Sequence, residues 1–170
     1  MLVVRTQKNQ TGVALIESLI SLFILAIGLL GILAMQATGI KSAQRAEYSS
    51  MVPVLASDIV DRIYAYDDVD VTTDDDAFNA INTDSVAAPP TCQTAAAGCT
   101  KEDQKKLIVG QWANEVKSNL PMGRADISLA ASGLYTVTIM WDNDNLQPTG
   151  TACGGDPAVD LACYTLELRL

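Results

Sequence analysis

The chain has 170 residues, and 20 acidic against 11 basic side chains give it a net charge of −9. That acidity argues against a nucleic-acid partner, because phosphate binding needs clustered lysine and arginine. The chain contains no histidine, which removes the commonest general base and metal ligand and any Ser-His-Asp or Cys-His mechanism. We therefore expect neither an enzyme nor a cofactor or metal site.

A short leader and a long apolar run open the chain. Residues 1–12 include Arg5 and Lys8, and residues 13–35 form a 23-residue stretch in which nearly every side chain is apolar. At about 1.5 Å per residue, a helix of this length spans the roughly 30 Å hydrocarbon core of a bilayer. A secretory signal has a shorter apolar stretch of about 7–15 residues and a small-residue cut site. The basic leader favours a cytoplasmic N-terminus, so we predict a single-pass inner-membrane anchor whose remaining chain lies in the periplasm.

Glu17 interrupts the apolar run. A carboxylate within a membrane helix costs about 2–4 kcal/mol, and it is tolerated if it snorkels to the headgroups or meets a cation. The surrounding letters, T-G-V-A-L-I-E, resemble the processing signal of type IV prepilins, which usually read G-F-T-L-I-E. The resemblance implies that a prepilin peptidase cuts after Gly12 and that the new N-terminus, Val13, is methylated. It also implies that the ammonium group of Val13 pairs with Glu17 of a neighbouring subunit in the filament.

Residues 36–66 are predicted to continue the same helix as an amphipathic half. Asp58 and Arg62 have the i,i+4 spacing of an ion pair on another face. A helix that is membrane-spanning in its first half and packs on a globular head in its second half is the pilin pattern. The apolar residues recur every four positions: Met51, Leu55, Ile59 and Ile63.

Residues 67–170 are predicted to form the globular periplasmic head. Residues 67–100 are expected to be a variable, acidic, solvated loop, because aspartates dominate its first part, which ends in Pro89-Pro90. Thr100 and Asp103 form a capping box that opens a predicted helix over residues 101–120. Alternating apolar residues predict an antiparallel sheet over residues 124–170. The fold class is therefore α+β, with the long helix packed on an antiparallel sheet.

The aspartate-rich stretches raise the question of calcium. Neither the residues after Asp67 nor Asp142-Asn143-Asp144-Asn145 has the spacing of an EF-hand loop. Solvated loops are therefore expected at both places, and the sequence leaves calcium binding open.

The four cysteines fall in two close pairs, which predicts disulfides and an oxidising compartment such as the periplasm. The gaps between them are wider than those of most zinc sites. Four cysteines permit three pairings and the sequence alone cannot choose among them, although local pairing is favoured because nearby thiols meet first. The favoured pairs are Cys92 with Cys99 and Cys153 with Cys163.

Four sequence blocks stand out in the head: Gln111-Trp112, Leu120–Ala125, Tyr135–Asp142 and the closing C-Y-T-L-E-L-R-L. Together they resemble the PilV-type minor pilins of type IV pili. The resemblance implies a low-abundance subunit that joins other minor pilins in a tip complex, contacts the major pilin and the inner-membrane assembly platform, and primes pilus assembly. A pseudopilin of a type II secretion system is the alternative, because it shares the leader and the glutamate, and a pilus-tip adhesin is a second one.

Overall fold

The architecture is taken from a computed structural model, which describes residues 11–67, 78–92 and 98–169. Two compact units, Met1–Ala43 and Gln44–Leu170, divide the chain, and each is described by itself. The elements in chain order are α1 (Thr11–Asp67), β1 (Ile81–Asn82), α2 (Lys101–Asn119), β2 (Arg124–Leu129), β3 (Leu134–Trp141) and β4 (Ala162–Arg169).

The first helix, α1, is 57 residues long and continues through Pro53. Proline has no N–H to give to the preceding turn, yet the helical hydrogen bonding resumes on both sides of it. The hydroxyl of Ser57 donates to the carbonyl of Pro53 at 2.9 Å. The predicted end of the helix near Tyr66 is confirmed, since α1 ends at Asp67.

The second helix begins and ends as its local residues require. The Thr100 side chain accepts a hydrogen bond from the backbone N–H of Asp103 at 3.1 Å and donates to the Asp103 carboxylate at 2.7 Å. These bonds confirm Thr100 as the N-cap of the predicted capping box. At the other end the backbone N–H of Leu120 donates to the carbonyl of Val116 at 3.1 Å. A Cβ at Gly123 would collide with that same carbonyl, so the tight turn into β2 needs glycine.

The four strands form one antiparallel sheet in the order β1-β2-β3-β4. The register places Val137 of β3 between Ile127 of β2 and Leu166 of β4. Gly133, with φ +76°, makes the short turn between β2 and β3. The predicted α+β class is confirmed: a long apolar N-terminal helix, a second helix and a C-terminal antiparallel sheet form a pilin-like arrangement.

The core of the second unit lies between the sheet and two helical faces, one from the C-terminal half of α1 and one from α2. Trp112 of α2 is completely buried, as are Ile59 of α1 and Val137 of β3. The predicted four-residue repeat of α1 therefore faces this core. The other buried core members on the helices are Val52, Leu55, Ala56, Ile63, Val109, Val116 and Leu120.

The prediction of a solvated loop after α1 is wrong at Phe78, at β1 and at Thr83. Phe78 is only 2% exposed and Thr83 is fully buried, and β1 between them pairs with β2. The backbone N–H of Thr83 donates to the carbonyl of Ala125 at 2.9 Å, and the Thr83 hydroxyl accepts from the Ala125 N–H at 2.8 Å. A strand of two residues is too short to show alternation, which is why the sequence did not reveal it. Residues 68–77, which carry most of the acidic cluster, lie outside the described residues.

Candidate functional site

Residues 13–35 of α1, termed the assembly segment, are apolar on every side. Within the first unit, Val13 is 67% exposed, Leu22 66% and Met35 75%. The most apolar stretch of α1 has a mean hydropathy of 2.6, and none of it is buried. Of the helices in the described residues, α1 alone is long and apolar enough to cross a membrane. Apolar residues on all faces suit a helix surrounded by lipid or by other helices.

The two serines of the assembly segment satisfy their own hydrogen bonds. The Ser18 hydroxyl donates to the carbonyl of Leu15 at 3.0 Å, and the Ser21 hydroxyl donates to the carbonyl of Glu17 at 2.8 Å. Such bonds to the preceding turn let a hydroxyl remain in an apolar environment without an outside partner. Neither serine therefore requires a contact with another molecule.

Glu17 differs from the serines. Its side chain is exposed, and within the described residues its carboxylate makes no hydrogen bond or ion pair. A carboxylate in hydrocarbon is costly unless a cation or several donors reach it. Glu17 is thus the one side chain of the assembly segment whose polar group still needs a partner from outside the described residues.

The proposed cut site lies at the start of α1. The helix begins at Thr11, so the bond between Gly12 and Val13 falls in its first turn. Val13 and Glu17 are four residues apart, which places them about 6 Å apart along the axis and on one face of the helix. Arg5 and Lys8 of the predicted leader lie outside the described residues.

Both cysteine pairs form local disulfides in the structure. Cys92 is bonded to Cys99 with Cα atoms 5.0 Å apart, and Cys153 to Cys163 with Cα atoms 5.2 Å apart. The second bond fastens the long connection between β3 and β4 to the first residues of β4. These are the pairs that the sequence favoured among its three possibilities.

Asp142, a residue of the possible calcium loop, is used by the protein itself. It is 2% exposed, and its carboxylate accepts the backbone N–H groups of Asp144, Leu146 and Gln147 at 2.7–3.2 Å. Asp144 in turn pairs with Arg45 of α1. The three backbone bonds to Asp142 show that its carboxylate organises a turn of the chain. The described residues hold no group of three or more candidate metal ligands.

The C-terminal half of α1 is held to α2 by polar contacts that the sequence did not predict. The buried indole N–H of Trp112 donates to the carbonyl of Leu55 at 2.9 Å. Arg62 pairs with Asp58 at 2.8 Å, as its spacing predicted, and also bonds both carboxylate oxygens of Glu115 at 2.9 and 3.0 Å. Burial lowers the pKa of Arg62, but the contacts with Glu115 and Asp58 raise it above its usual value. The sequence showed only the partner within the helix.

One carboxylate of the sheet has a shifted pKa. Burial raises the pKa of Asp126, and the nearby Asp84 raises it further, while a hydrogen bond from Asn82 and the charge of Arg124 act in the opposite direction. The Asn82 amide donates to the Asp126 carboxylate at 2.6 Å. The net shift is upward, so the folded protein holds this proton more tightly than an unfolded chain does.

Comparison with known protein families finds a match for the N-terminal segment. Residues 7–33 match the family described as the prokaryotic N-terminal methylation motif. This range contains Gly12, Val13 and Glu17 and most of the assembly segment. No curated protein and no solved structure matches the chain. The match supports a type IV pilin-like or pseudopilin-like prepilin, a structural class that a prepilin peptidase processes and membrane-bound machinery assembles.

Proposed function

We propose that this type IV pilin-like prepilin is a minor pilin, a low-abundance subunit that joins other minor pilins at the pilus tip and primes assembly. In this proposal residues 1–12 are the leader, residues 13–35 anchor the chain and later pack in the filament, and residues 36–66 hold the head, residues 67–170. The N-terminus lies in the cytoplasm and the head in the periplasm before assembly.

The observation that carries the proposal is the lone carboxylate of Glu17. It lies in a helix that is apolar on all sides, within a stretch that matches the N-terminal methylation motif. Cleavage after Gly12 would free an ammonium group on Val13, one helical turn away. A neighbouring subunit could bring that ammonium to Glu17, so that each buried charge is compensated only in the assembled filament. Glu17 would then fix the axial register of the subunits, as a single polar residue does in a coiled-coil seam.

A pseudopilin of a type II secretion system is the alternative, because it shares the leader and the glutamate in the apolar helix. What favours the pilus is the head: the cysteine pairs, the turn Leu120–Gly123 before β2, and the strand Tyr135–Trp141 are the blocks that resemble PilV-type pilins. A tip adhesin is compatible with the same position in the filament. Deleting the type IV pilus genes and the type II secretion genes in separate strains, and asking which deletion strands the protein in the inner membrane, separates the first two functions.

The direct experiment replaces Glu17 by alanine. If Glu17 only snorkels to the headgroups, its removal eases insertion by about 2–4 kcal/mol and leaves function unchanged. If it pairs with the Val13 ammonium of a neighbour, the replacement leaves that ammonium unpaired, and breaking one side of a buried pair costs about 3–5 kcal/mol. We expect the Glu17→Ala protein to be inserted and folded but absent from complexes with other pilins, with reduced surface pili.

Ser21→Ala is the matched control, because it removes a polar group from the same helix whose hydrogen bond is internal. It should leave the recovery of partner pilins and the pilus yield at wild-type values. Normal values for Glu17→Ala would refute the pairing with Val13. Glu17 would then be explained as a carboxylate that reaches the lipid headgroups.

A further inference from the structure

The strand β4 forms one edge of the sheet, because it pairs with β3 alone among the described strands. It runs for eight residues, from Ala162 to Arg169. An edge of this length presents a row of backbone donors and acceptors that a further strand can use. Which residues form that row follows from the register.

The backbone groups of Thr165, Glu167 and Arg169 point away from β3. The N–H of Ala130 donates to the carbonyl of Leu134 at 2.9 Å, so the backbone groups of Leu134 face β2. In an antiparallel ladder, hydrogen-bonded and non-hydrogen-bonded pairs alternate. Leu134 stands opposite Arg169. Because the backbone groups of Leu134 face β2, this pair is non-hydrogen-bonded, and the backbone groups of Arg169 point away from β3. The same orientation recurs at every second residue of β4.

One end of this row is occupied, and its centre is open. The hydroxyl of Tyr64 donates to the carbonyl of Arg169 at 3.0 Å. At the other end, Cys163 is tied to the preceding loop by its disulfide. Between them, the backbone N–H and C=O groups of Thr165 and Glu167 make no hydrogen bond within the described residues. Both residues are exposed.

The side chains along β4 indicate what kind of strand could pack beside it. Those facing the core are only half-buried at this edge, whereas Val137, the β3 partner of Leu166, is fully buried. A further strand with apolar residues at alternate positions would cover them. The half-buried side chains that face the core are Tyr164, Leu166 and Leu168.

The opposite face of β4 carries two charges of opposite sign, Glu167 and Arg169. Both side chains are exposed, and neither forms an ion pair within the described residues. Charges on an edge strand hinder indiscriminate pairing, and they favour a strand that brings opposite charges to the same positions. A second copy of this chain does not supply that complement along the strand: an antiparallel self-pairing that sets Glu167 opposite Arg169 overlaps only residues 167–169 of β4, and the self-pairings with a longer overlap leave Glu167 without a cation opposite it.

We propose that the β4 edge is an assembly surface that accepts a strand from a different subunit of the filament. The partner strand would bond to Thr165 and Glu167, place apolar residues beside Leu166, and bring a cation opposite Glu167. This inference rests on the proposed function, since it assigns a partner within the same assembly.

The test introduces proline at Thr165 in the full-length, membrane-inserted protein. Proline removes only the N–H that points away from β3, and proline is tolerated on an edge strand in that orientation. The head should therefore fold, with both disulfides formed, while recovery of co-purifying pilin subunits falls by about ten-fold or more. Thr165→Ala keeps the backbone N–H and should match wild type. Should Thr165→Pro fail to fold, Glu167→Lys, which reverses an exposed charge, carries the test with the same expected loss.

A photo-crosslinking amino acid at Glu167 identifies the partner. The proposal expects crosslinks to one extended segment of another pilin subunit, and the same probe at Ser128 of β2, an exposed residue two strands away from β4, should give none. Crosslinks to a second copy of this chain, or normal partner recovery with Thr165→Pro and Glu167→Lys, would overturn it. If Glu17→Ala prevents assembly while Thr165→Pro does not, only the edge proposal fails. If both variants assemble normally, the proposed function fails too.

Discussion

The two halves of α1 belong to one continuous helix, yet the arrangement and the exposure of their apolar side chains differ. In residues 44–66 most apolar side chains form one stripe, which the protein covers with its own α2 and sheet; Ile59 is fully buried there, whereas Val54, off the stripe, is exposed. In the assembly segment the apolar side chains surround the helix, and Leu22 remains 66% exposed. The difference teaches that the distribution of apolar residues around a helix, more than their number, indicates whether the partner is the same chain or an external one.

The largest expected change in the free energy of unfolding concerns Trp112, and it tests the difference between the two halves of α1. Trp112→Ala removes a completely buried ring and its bond to Leu55 in the C-terminal half of α1, and should lower the free energy of unfolding by about 3–5 kcal/mol. Leu22→Ala, an apolar truncation in the other half, should leave it unchanged within about 0.5 kcal/mol. Denaturant unfolding of the detergent-solubilised protein, followed by circular dichroism, measures both. A comparable loss for Leu22→Ala would contradict the division of α1.

The disulfides come next in size. Removing either pair by double Cys→Ser substitution should lower the free energy of unfolding of the head by about 2–3 kcal/mol, because each closes a short loop in the unfolded chain. The bonded cysteines are 7 and 10 positions apart in the sequence, so the two losses should be similar. Peptide mapping without reductant should recover Cys92 joined to Cys99 and Cys153 joined to Cys163. A peptide joining Cys92 to Cys163 would contradict the pairing, and the assembly segment should be unaffected by either removal.

Most of the fold could be predicted from local patterns. The length of α1, the N-cap at Thr100 and the alternation in β3 are each decided by residues close in the chain, and all three were predicted. The contacts that join distant residues were not, because single residues give no sign of them. Arg62 could be paired with Asp58 from spacing, but its bonds to Glu115 depend on how α1 crosses α2.

The candidate site shows the same division. Gly12, Val13 and Glu17 form a local motif, so the sequence was sufficient to single them out. The edge of β4 became apparent only when the order and register of the strands were known. The buried part of the segment after α1 was missed because Thr83 completes the ladder with its hydroxyl, which has no signature in a hydrophobic pattern.

A smaller effect is expected at Asp126 in the sheet, far along the chain from the assembly segment. Its pKa is raised in the folded protein, chiefly by burial. The ionised form is therefore disfavoured in the native state, and stability should rise as the pH falls through the raised native pKa toward the ordinary carboxyl pKa. Asp126→Asn should slightly increase the melting temperature at pH 7 and flatten its dependence on pH in that acidic window. Asp61→Asn, at an exposed position of α1, is the control, and an equal gain there would assign the effect to net charge.

The central claim is that the chain is a prepilin whose leader ends at Gly12. Mass spectrometry of the intact protein, recovered from cells that express the prepilin peptidase, tests it most directly. The mature chain should begin Val13-Ala14-Leu15 and carry one added methyl group on its N-terminus, whereas Gly12→Leu should yield only the unprocessed precursor in the membrane. A chain that begins near Gln36, or one that retains Met1 when the peptidase is active, would contradict the account.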